Sequence, residues 1–219
     1  MSSAQHDILI AGGGIGGLAA ALAAARAGRN VTVLEKAPAF REIGAGIQLG
    51  PNAFHAFDEL GVGPAARDMA VYIDSLRLMD AMTAEEIPRI PLGEDFRARF
   101  GNPYAVVHRG ELHRVLLNAC QTHENIALIT DAAVSDYSQN DDGVVVHLAD
   151  GSQHAASAFI AADGLWSAIR TRLVGDGLPR VSGHSSYRSV ITKEDMPEDL
   201  RWNAATLWAG PKCHIVHYP

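Results

Sequence analysis

Residues 7–35 read DILIAGGGIGGLAAALAAARAGRNVTVLE. In this stretch a short apolar run leads into a cluster of glycines, and an Ala- and Leu-rich run leads into a second, β-branched run. The order predicts a strand over residues 7–11, a helix over 18–27 and a strand over 30–34. A crossover of this length makes the two strands parallel neighbours and places the helix N-terminus at the carboxyl edge of their sheet.

The glycines between the first strand and the helix match the pattern GxGxxG at Gly12, Gly14 and Gly17. Gly12 permits the tight turn, Gly14 lets the backbone approach a pyrophosphate, and Gly17 lets the helix pack on the strand. Ile15 and Gly16, between these glycines, are included in the predicted cofactor site, because the N–H groups and positive dipole of the helix N-terminus favour a phosphate. We therefore predict a phosphate-binding turn.

An acidic residue ends the second strand of this unit. Glu35 lies where a carboxylate accepts hydrogen bonds from the hydroxyls of an adenosine ribose, and Lys36 beside it is included in the predicted cofactor site. A plain tight turn is the alternative for the glycines, but such a turn would not need Glu35 in register. The ligand predicted here is an adenine dinucleotide, FAD or NAD.

Composition limits the remaining classes of function. The 219 residues are 47% hydrophobic and 20% charged, which is typical of a globular protein with one large domain or one domain and part of a second. A formal net charge of −7 disfavours nucleic acid as a partner. Cys120 and Cys213 lie far apart, so we expect neither a disulfide nor a metal site, and a reducing cytoplasm suits them. The uncharged residues 8–25 are too rich in Gly and Ala for a membrane span. We do not expect a secretory signal either, because such a signal has a Lys or Arg before its apolar run and residues 1–7 contain neither.

Further elements follow from periodicity and turn residues. We predict helices over residues 53–60, 110–123 and 167–173, strands over 71–82, 86–91, 103–107, 126–130, 133–137, 144–148 and 158–162, a loop over 37–51, and antiparallel sheet over 182–219. An NAD dehydrogenase would continue with strand–helix repeats, whereas this chain continues with a glycine-rich loop and mixed sheet. That difference favours FAD.

Three separated motifs carry a family resemblance: GAGIQLGPN at 44–52, HRGEL at 108–112 and DGLWSAIR at 163–170. Together they resemble the single-component flavin-dependent aromatic hydroxylases, over residues 7–219. The resemblance implies an α/β fold: a Rossmann-like FAD-binding domain with a parallel sheet, and an inserted mixed or antiparallel substrate-binding sheet.

The implied domains are discontinuous. Residues 1–70 and 102–180 would form the FAD-binding domain, and residues 71–101 and 181–219 the incomplete substrate sheet. Members of the family carry a second flavin motif downstream of the position of Pro219. We therefore expect the C-terminal part of the fold to be absent and the isolated chain to bind flavin poorly and to lack activity.

The implied activity is an FAD-dependent monooxygenase that hydroxylates a phenolic aromatic acid with O2 and NADH, or with NADPH as the alternative donor. Among the substrates of the family, 3-hydroxybenzoate, giving 2,5-dihydroxybenzoate in aromatic catabolism, fits first, and salicylate or 6-hydroxynicotinate are the alternatives. An FAD-dependent oxidase and an inactive FAD-binding fragment are the rival classes. The family is often dimeric, so a homodimer is an option for this chain.

The resemblance also implies cofactor-binding roles for four residues outside the glycine motif. Arg109 would reach the FAD phosphates and ribityl chain, Gln48 the region of the flavin ring, and Val134 the adenine through its backbone. Asp163 would serve both FAD and the nicotinamide donor. From the residues alone, these are equally a helix-capping arginine, a surface glutamine, a core strand residue and a helix cap.

The tail contains the candidate catalytic pair. His214 and Tyr218 are four residues apart and so share one face of a strand, whereas His217 lies on the other face, which disfavours a shared metal. By resemblance, His214 accepts the phenolic proton of the substrate and helps to bind it, and Tyr218 contacts its ring or carboxylate. A histidine pKa of about 6.5 suits proton transfer at neutral pH. The alternative is a histidine that is hydrogen-bonded within a sheet.

Overall fold

The computed structural model describes residues 8–42 and 44–219. Asp7, in the predicted first strand, and Ile43, in the predicted loop, lie outside the described residues. The described chain forms two compact units, residues 8–42 with 112–186 and residues 44–111 with 187–219.

These packing units differ in extent from the domains expected from the sequence. Residues 44–70 and 102–111 belong by packing to the second unit, although the sequence analysis places them in the FAD-binding domain. The functional division of the chain stays a prediction.

The elements are numbered in chain order. The strands are β1 (Ile8–Ala11), β2 (Val31–Leu34), β3 (Gly46–Leu49), β4 (Val71–Tyr72), β5 (Ser75–Asp80), β6 (Glu86–Pro91), β7 (Ala105–His108), β8 (Ile126–Ile129), β9 (Val134–Asn140), β10 (Gly143–Leu148), β11 (Gln153–Ala156), β12 (Ala158–Ala161), β13 (Ala204–Gly210) and β14 (Cys213–His217). The helices are α1 (Ile15–Arg26), α2 (Pro51–Glu59), α3 (Gly63–Asp68), α4 (Glu94–Phe100), α5 (Arg109–Thr122) and α6 (Ala168–Val174). Two short 3-10 helices occupy Lys193–Asp195 and Glu198–Leu200.

A parallel sheet of order β12-β1-β2-β8 forms the centre of the first unit. Its central strands, β1 and β2, are mostly buried and apolar, as is typical of parallel strands covered on both faces, whereas β12 and β8 at its edges are more exposed. An antiparallel sheet, β11-β10-β9, belongs to the same unit, and its Val146 packs with Leu9 and Leu34 of the parallel sheet in one core cluster. The parallel sheet and the crossover through α1 confirm the Rossmann-like prediction.

The second unit contains a mixed sheet and a small antiparallel one. The mixed sheet has the order β14-β13-β5-β6, with β13 parallel to β5 and the other pairs antiparallel, and the small sheet has the order β3-β7-β4. Ile73, Leu92, Val106 and Ala205 form one core cluster of the unit. This sheet has the mixed character that the sequence predicted.

Three local predictions were wrong. The stretch 37–51 is not all loop, because β3 lies in it and pairs with β7. The tail is extended only over residues 204–210 and 213–217, since residues 182–192 pair with no strand. Helix α1 starts at Ile15 rather than at residue 18 because Gly14, with φ −75° and ψ 179°, is its extended N-cap.

Helices α3 and α4 and strand β11 were not predicted. α4 ends at Gly101, which has the left-handed conformation with φ +72°. The helix is too short for its sequence pattern to have predicted it. No helix within residues 8–42 and 44–219 has the length and apolar character needed to cross a membrane.

Candidate functional site

The turn from β1 into α1 is built from glycines that close backbone contacts require. Gly12 has φ +102° and donates its N–H to the Leu34 carbonyl at 2.8 Å. A Cβ on Gly12 would overlap the Ala162 carbonyl, and a Cβ on Gly17 would overlap the Gly12 carbonyl. Both obstacles are backbone atoms that cannot rotate away, so the first and last glycines of the motif are fixed by packing.

Gly13, between the motif glycines, is held on three sides. Its N–H donates to Glu35 Oε2 at 2.6 Å, and its carbonyl accepts from His113 Nε2 at 2.7 Å. The ring of Phe40 packs so closely on its Cα that no Cβ would fit. His113 and Phe40 were not predicted from the sequence, because both lie outside the GxGxxG motif.

Glu35 contacts the backbone with both carboxylate oxygens. Oε1 accepts from Ala37 N–H at 2.9 Å, while Oε2 accepts from Gly13. A carboxylate oxygen can accept a second hydrogen bond, so Glu35 retains the capacity to bind ribose hydroxyls. The structure thus gives this residue a second task, which is to fix the glycine turn. Lys36 follows it and is exposed.

The other side of the turn is open, with the Glu42 carboxylate at its border. A Cβ on Gly14 would meet nothing nearer than Glu42 Oε2 at 4.0 Å, and one on Gly16 would meet nothing within 4 Å. The first turn of α1 contains no acidic residue and α1 has no side-chain N-cap bond, whereas α4 begins with Glu94 and Asp95. The N–H groups at the start of α1, among them that of Ile15, therefore have no carboxylate of their own turn competing with an anionic ligand.

Asp163 and Val134 lie in the same unit as the glycine turn. Asp163 follows β12, and its Oδ2 accepts from Ile169 N–H of α6 at 3.5 Å, a long contact. The N-cap of α6 is instead Ser167, whose hydroxyl accepts from Arg170 N–H at 2.9 Å. Val134 begins β9, half-buried against the core cluster. Their predicted contacts with the cofactor stay predictions.

Gln48 and Arg109 lie in the second unit. Gln48 is exposed on β3, and its Oε1 accepts from the Tyr104 hydroxyl at 2.6 Å. This bond orients the amide so that its N–H groups point away from Tyr104. Arg109 begins α5, donates its backbone N–H to the Ala45 carbonyl at 3.1 Å, and packs its side chain so closely on Gly44 that an added Cβ would lie 3.0 Å from Arg109 Cδ.

His214 and Tyr218 share the face that their spacing predicts. His214 on β14 is opposite Ala209 of β13. Ala205 lies four residues before Ala209 and so on the same face of β13, and Tyr218 packs in the core cluster that contains Ala205. His217 is opposite Thr206 and faces the other way. The two candidates differ in environment, because His214 is exposed whereas Tyr218 is half-buried and its ring covers Gly46.

The structure adds Tyr104 to this group. It packs in the same cluster as Tyr218, and burial, followed by the charge of Tyr218, raises the pKa of its phenol. Tyr104 therefore stays protonated and donates to Gln48 at neutral pH. The only signal for this residue in the sequence pattern is an aromatic side chain just before a short strand.

The opposite face of the mixed sheet holds an aromatic cluster. Trp202, Trp208 and His217 have ring centroids 6.0 to 6.5 Å apart, and the Arg77 guanidinium lies 3.5 Å from the Trp202 centroid. Burial, followed by the charge of Arg77, lowers the pKa of His217. Over residues 8–42 and 44–219, no three His, Cys, Asp or Glu side chains are grouped to hold a metal ion.

Similarity to known proteins identifies the family of this chain. The sequence model of the FAD binding domain matches residues 5–203. The chain belongs to the FAD-binding domain family.

Three curated relatives of the chain are named as 3-hydroxybenzoate 6-hydroxylases. The chain is 55% identical over 98% of its length to 3-hydroxybenzoate 6-hydroxylase 1 of Aquipseudomonas alcaligenes, and 53% identical over 99% to 3-hydroxybenzoate 6-hydroxylase of Polaromonas naphthalenivorans strain CJ2. It covers 55% and 54% of those proteins. The chain therefore spans about half the length of the curated relatives that it matches.

Solved structures share the fold. Klebsiella pneumoniae HpxO, complexed with FAD and uric acid, matches 98% of this chain and 53% of its own with a TM-score of 0.77 and 24% identity. The 2,6-dihydroxypyridine-3-hydroxylase of Arthrobacter nicotinovorans matches 94% of this chain and 50% of its own with a TM-score of 0.75 and 27% identity. The expected fold class is confirmed.

Proposed function

We propose that this protein is an FAD-dependent monooxygenase that converts 3-hydroxybenzoate to 2,5-dihydroxybenzoate with NADH and O2. The observation that carries the proposal is the 55% identity, over 98% of the chain, to a relative named 3-hydroxybenzoate 6-hydroxylase. A relative named for 6-hydroxynicotinate is 33% identical, which supports the benzoate ring as the first choice.

The residues of the first unit bind the dinucleotide part of FAD in this proposal. The N–H groups of Gly14, Ile15 and Gly16 face the pyrophosphate, and Glu35 accepts hydrogen bonds from the ribose hydroxyls. The open space beside Gly14 and Gly16 supports this assignment.

Further cofactor contacts follow the family resemblance. Val134 meets the adenine through its backbone, Arg109 binds phosphate, and Asp163 serves FAD and the nicotinamide donor. Gln48 directs its amide N–H groups to the flavin, with its carbonyl held by Tyr104.

The residues of the second unit act on the substrate. FAD, once bound and reduced by NADH, supplies the electrons with which one atom of O2 enters the ring and the other leaves as water. A ring nitrogen of His214 takes the phenolic proton, which raises the electron density at the carbon para to that oxygen. Tyr218, fixed by its packing, positions the ring or its carboxylate.

Location and assembly are part of the same proposal. Cys120 and Cys213 are both free thiols, and NADH is available in the cytoplasm, so we propose a cytoplasmic enzyme. The homodimer frequent in the family is proposed as its assembly.

Substrate-stimulated NADH oxidation tests the function. The full-length protein, loaded with FAD, is given 3-hydroxybenzoate, salicylate and 6-hydroxynicotinate in parallel, and products are identified by mass and retention. We expect 2,5-dihydroxybenzoate from 3-hydroxybenzoate alone. Hydroxylation of another ring would reject this substrate, and no stimulation by any of them would favour an oxidase or an inactive FAD-binding protein.

The role of His214 has its own test. We expect His214→Gln to lower hydroxylation about a hundredfold or more, as for loss of a general base, and to leave FAD affinity unchanged. His154→Gln, on β11, is the matched control and should leave the rate unchanged. Equal rates for His214→Gln and the unmodified protein would reject His214 as the base.

A further inference from the structure

A histidine outside every recognised motif contacts the glycine turn. His113 on α5 is 3% exposed, and its Nε2 lies 2.7 Å from the carbonyl oxygen of Gly13. A carbonyl oxygen can only accept, so Nε2 carries the proton and donates. We propose that His113 is a positioning residue that holds the turn in its dinucleotide-binding form, an inference that rests on the proposed FAD binding.

The turn needs such an anchor because its peptides join glycines. Peptides between Gly12, Gly13 and Gly14 have no Cβ on either side, so each can rotate between orientations at little steric cost. The 12–13 peptide is fixed because its N–H donates to Glu35, and the 13–14 peptide is fixed because its carbonyl accepts from His113. The anchors come from positions 22 and 100 residues away in the chain.

The second anchor decides which atom faces the ligand side. In a planar trans peptide the C=O and the following N–H point in opposite directions. Because the Gly13 carbonyl points at His113, the Gly14 N–H points away from it. A rotated peptide would instead turn the Gly13 oxygen outward, and its partial negative charge would repel a phosphate.

Phe40 cannot replace this hydrogen bond. Its ring packs on the Cα of Gly13 and so limits where the residue lies. Apolar contact with Cα leaves the rotation of the 13–14 peptide open, since it offers no donor to the carbonyl. The orientation of that peptide therefore depends on His113.

The test compares substitutions of His113 that keep or remove the donor. His113→Gln places an amide N–H near the position of Nε2, His113→Asn carries the same amide one methylene shorter, and His113→Leu has none. Cys120→Ala is the matched control, because Cys120 is buried on the same helix and its Sγ contacts the Leu18 carbonyl at 3.5 Å rather than the turn. Each variant of the protein is measured for FAD affinity by flavin fluorescence and for the carbonyl 13C chemical shift of Gly13 without FAD.

We expect His113→Leu and His113→Asn to weaken FAD affinity about tenfold, as for loss of a buried hydrogen bond. The Gly13 carbonyl resonance should move upfield in both even without FAD, because the carbonyl loses its hydrogen-bond donor. His113→Gln should restore affinity to within about twofold of the unmodified protein. Cys120→Ala should lower the unfolding temperature with affinity unchanged.

Two results would overturn the inference. Unchanged affinity in both His113→Leu and His113→Asn would show that the turn orders itself, and the Asn variant serves alone if the Leu variant does not fold. An affinity loss in His113→Gln as large as in His113→Asn would reject the hydrogen bond as the cause. If the full-length unmodified protein binds no FAD, the proposed function fails instead, and the inference that rests on it falls too.

Discussion

The glycine turn and the C-terminal hairpin with Tyr218 obtain their candidate functional residues in different ways. In the turn, the identity of each glycine follows from backbone atoms next to it, such as the Ala162 and Gly12 carbonyls. In the hairpin, the alternation of side chains along a strand determines only the face of the sheet on which a residue lies. The side chains that surround it come from strands that are remote in sequence. A backbone site is thus encoded by a short motif, whereas a side-chain site needs the assembled sheet.

Gly17→Ala should break the turn and gives the largest effect. The new Cβ would overlap the Gly12 carbonyl, and because the obstacle is backbone we expect a loss of at least about 3 kcal/mol of stability and loss of FAD binding. Thermal unfolding and flavin binding measure both. Gly16→Ala is the matched control, since its Cβ enters open space and alanine favours helices by about 1 kcal/mol.

Gly17→Ala and Gly16→Ala should differ in stability, because only the first places a Cβ against backbone. Gly16→Ala should fold at least as well as the unmodified protein and lose FAD affinity only. Equal stabilities for Gly17→Ala and Gly16→Ala would mean that the turn is not held by this close contact.

Gly46→Ala tests the equivalent point in the hairpin region, where the neighbour is a side chain. A Cβ on Gly46 would overlap Cε2 of the Tyr218 ring and lie 2.9 Å from its Cζ, so we expect a loss of about 2 kcal/mol. In a Tyr218→Ala background that cost should nearly vanish, because the ring is gone. Urea unfolding of the four proteins in this cycle gives the coupling energy.

An additive cycle would contradict this account of Gly46. Tyr218→Phe is the control, because it keeps the ring and should keep most of the cost of Gly46→Ala. A cost that is independent of residue 218 would place the constraint on Gly46 elsewhere.

His217→Phe should alter the pH dependence of stability. Burial and Arg77 hold the folded-state pKa of His217 below its ordinary value, so the unfolded chain binds the extra proton more readily. Stability is therefore complete above about pH 6.5 and is lost as the pH falls toward the lowered pKa. Phenylalanine keeps the stacking on Trp208 without titrating, so the slope between about pH 7 and 5 should flatten.

Urea unfolding across that pH range measures the slope. Ile215→Val is the control: Ile215 lies on the same face of β14 as His217 and does not titrate, so its replacement should leave the slope unchanged. A slope that survives His217→Phe would assign the pH dependence to other groups.

The sequence predicted which residues lie together where their contacts are between residues close in the chain, and failed where the partners are remote. Gly12, Gly14, Gly17 and Glu35 lie in one crossover unit, so their spacing alone placed them correctly around one turn. His113 could not be found in this way, because its partner is 100 residues distant. The shared face of His214 and Tyr218 followed from strand period, but the exposure of one and the burial of the other depend on Leu92, Val106 and other remote residues.

The same rule explains the missed elements. β3 was not predicted because four residues containing Gly46 and Gln48 show no strand pattern until β7 pairs with them. The first turn of α1 was missed because glycines are poor helix formers, and tertiary contacts of Gly17 override that propensity. Local patterns thus predicted elements where packing agrees with propensity and failed where packing decides.

Thiol labelling gives the smallest effect and compares the two regions without altering either. Cys120, on α5 with its Sγ near α1, is fully buried, and burial raises the pKa of its thiol to about 12, so it has almost no thiolate at neutral pH. Cys213 is exposed at the start of β14. We expect iodoacetamide to modify Cys213 alone in the folded protein and both cysteines in urea, as read by peptide mass. Labelling of Cys120 as fast as Cys213 would mean that the α1–α5 packing that supports the glycine turn opens as readily as the hairpin surface, which would remove the distinction between a packed backbone site and an exposed side-chain site.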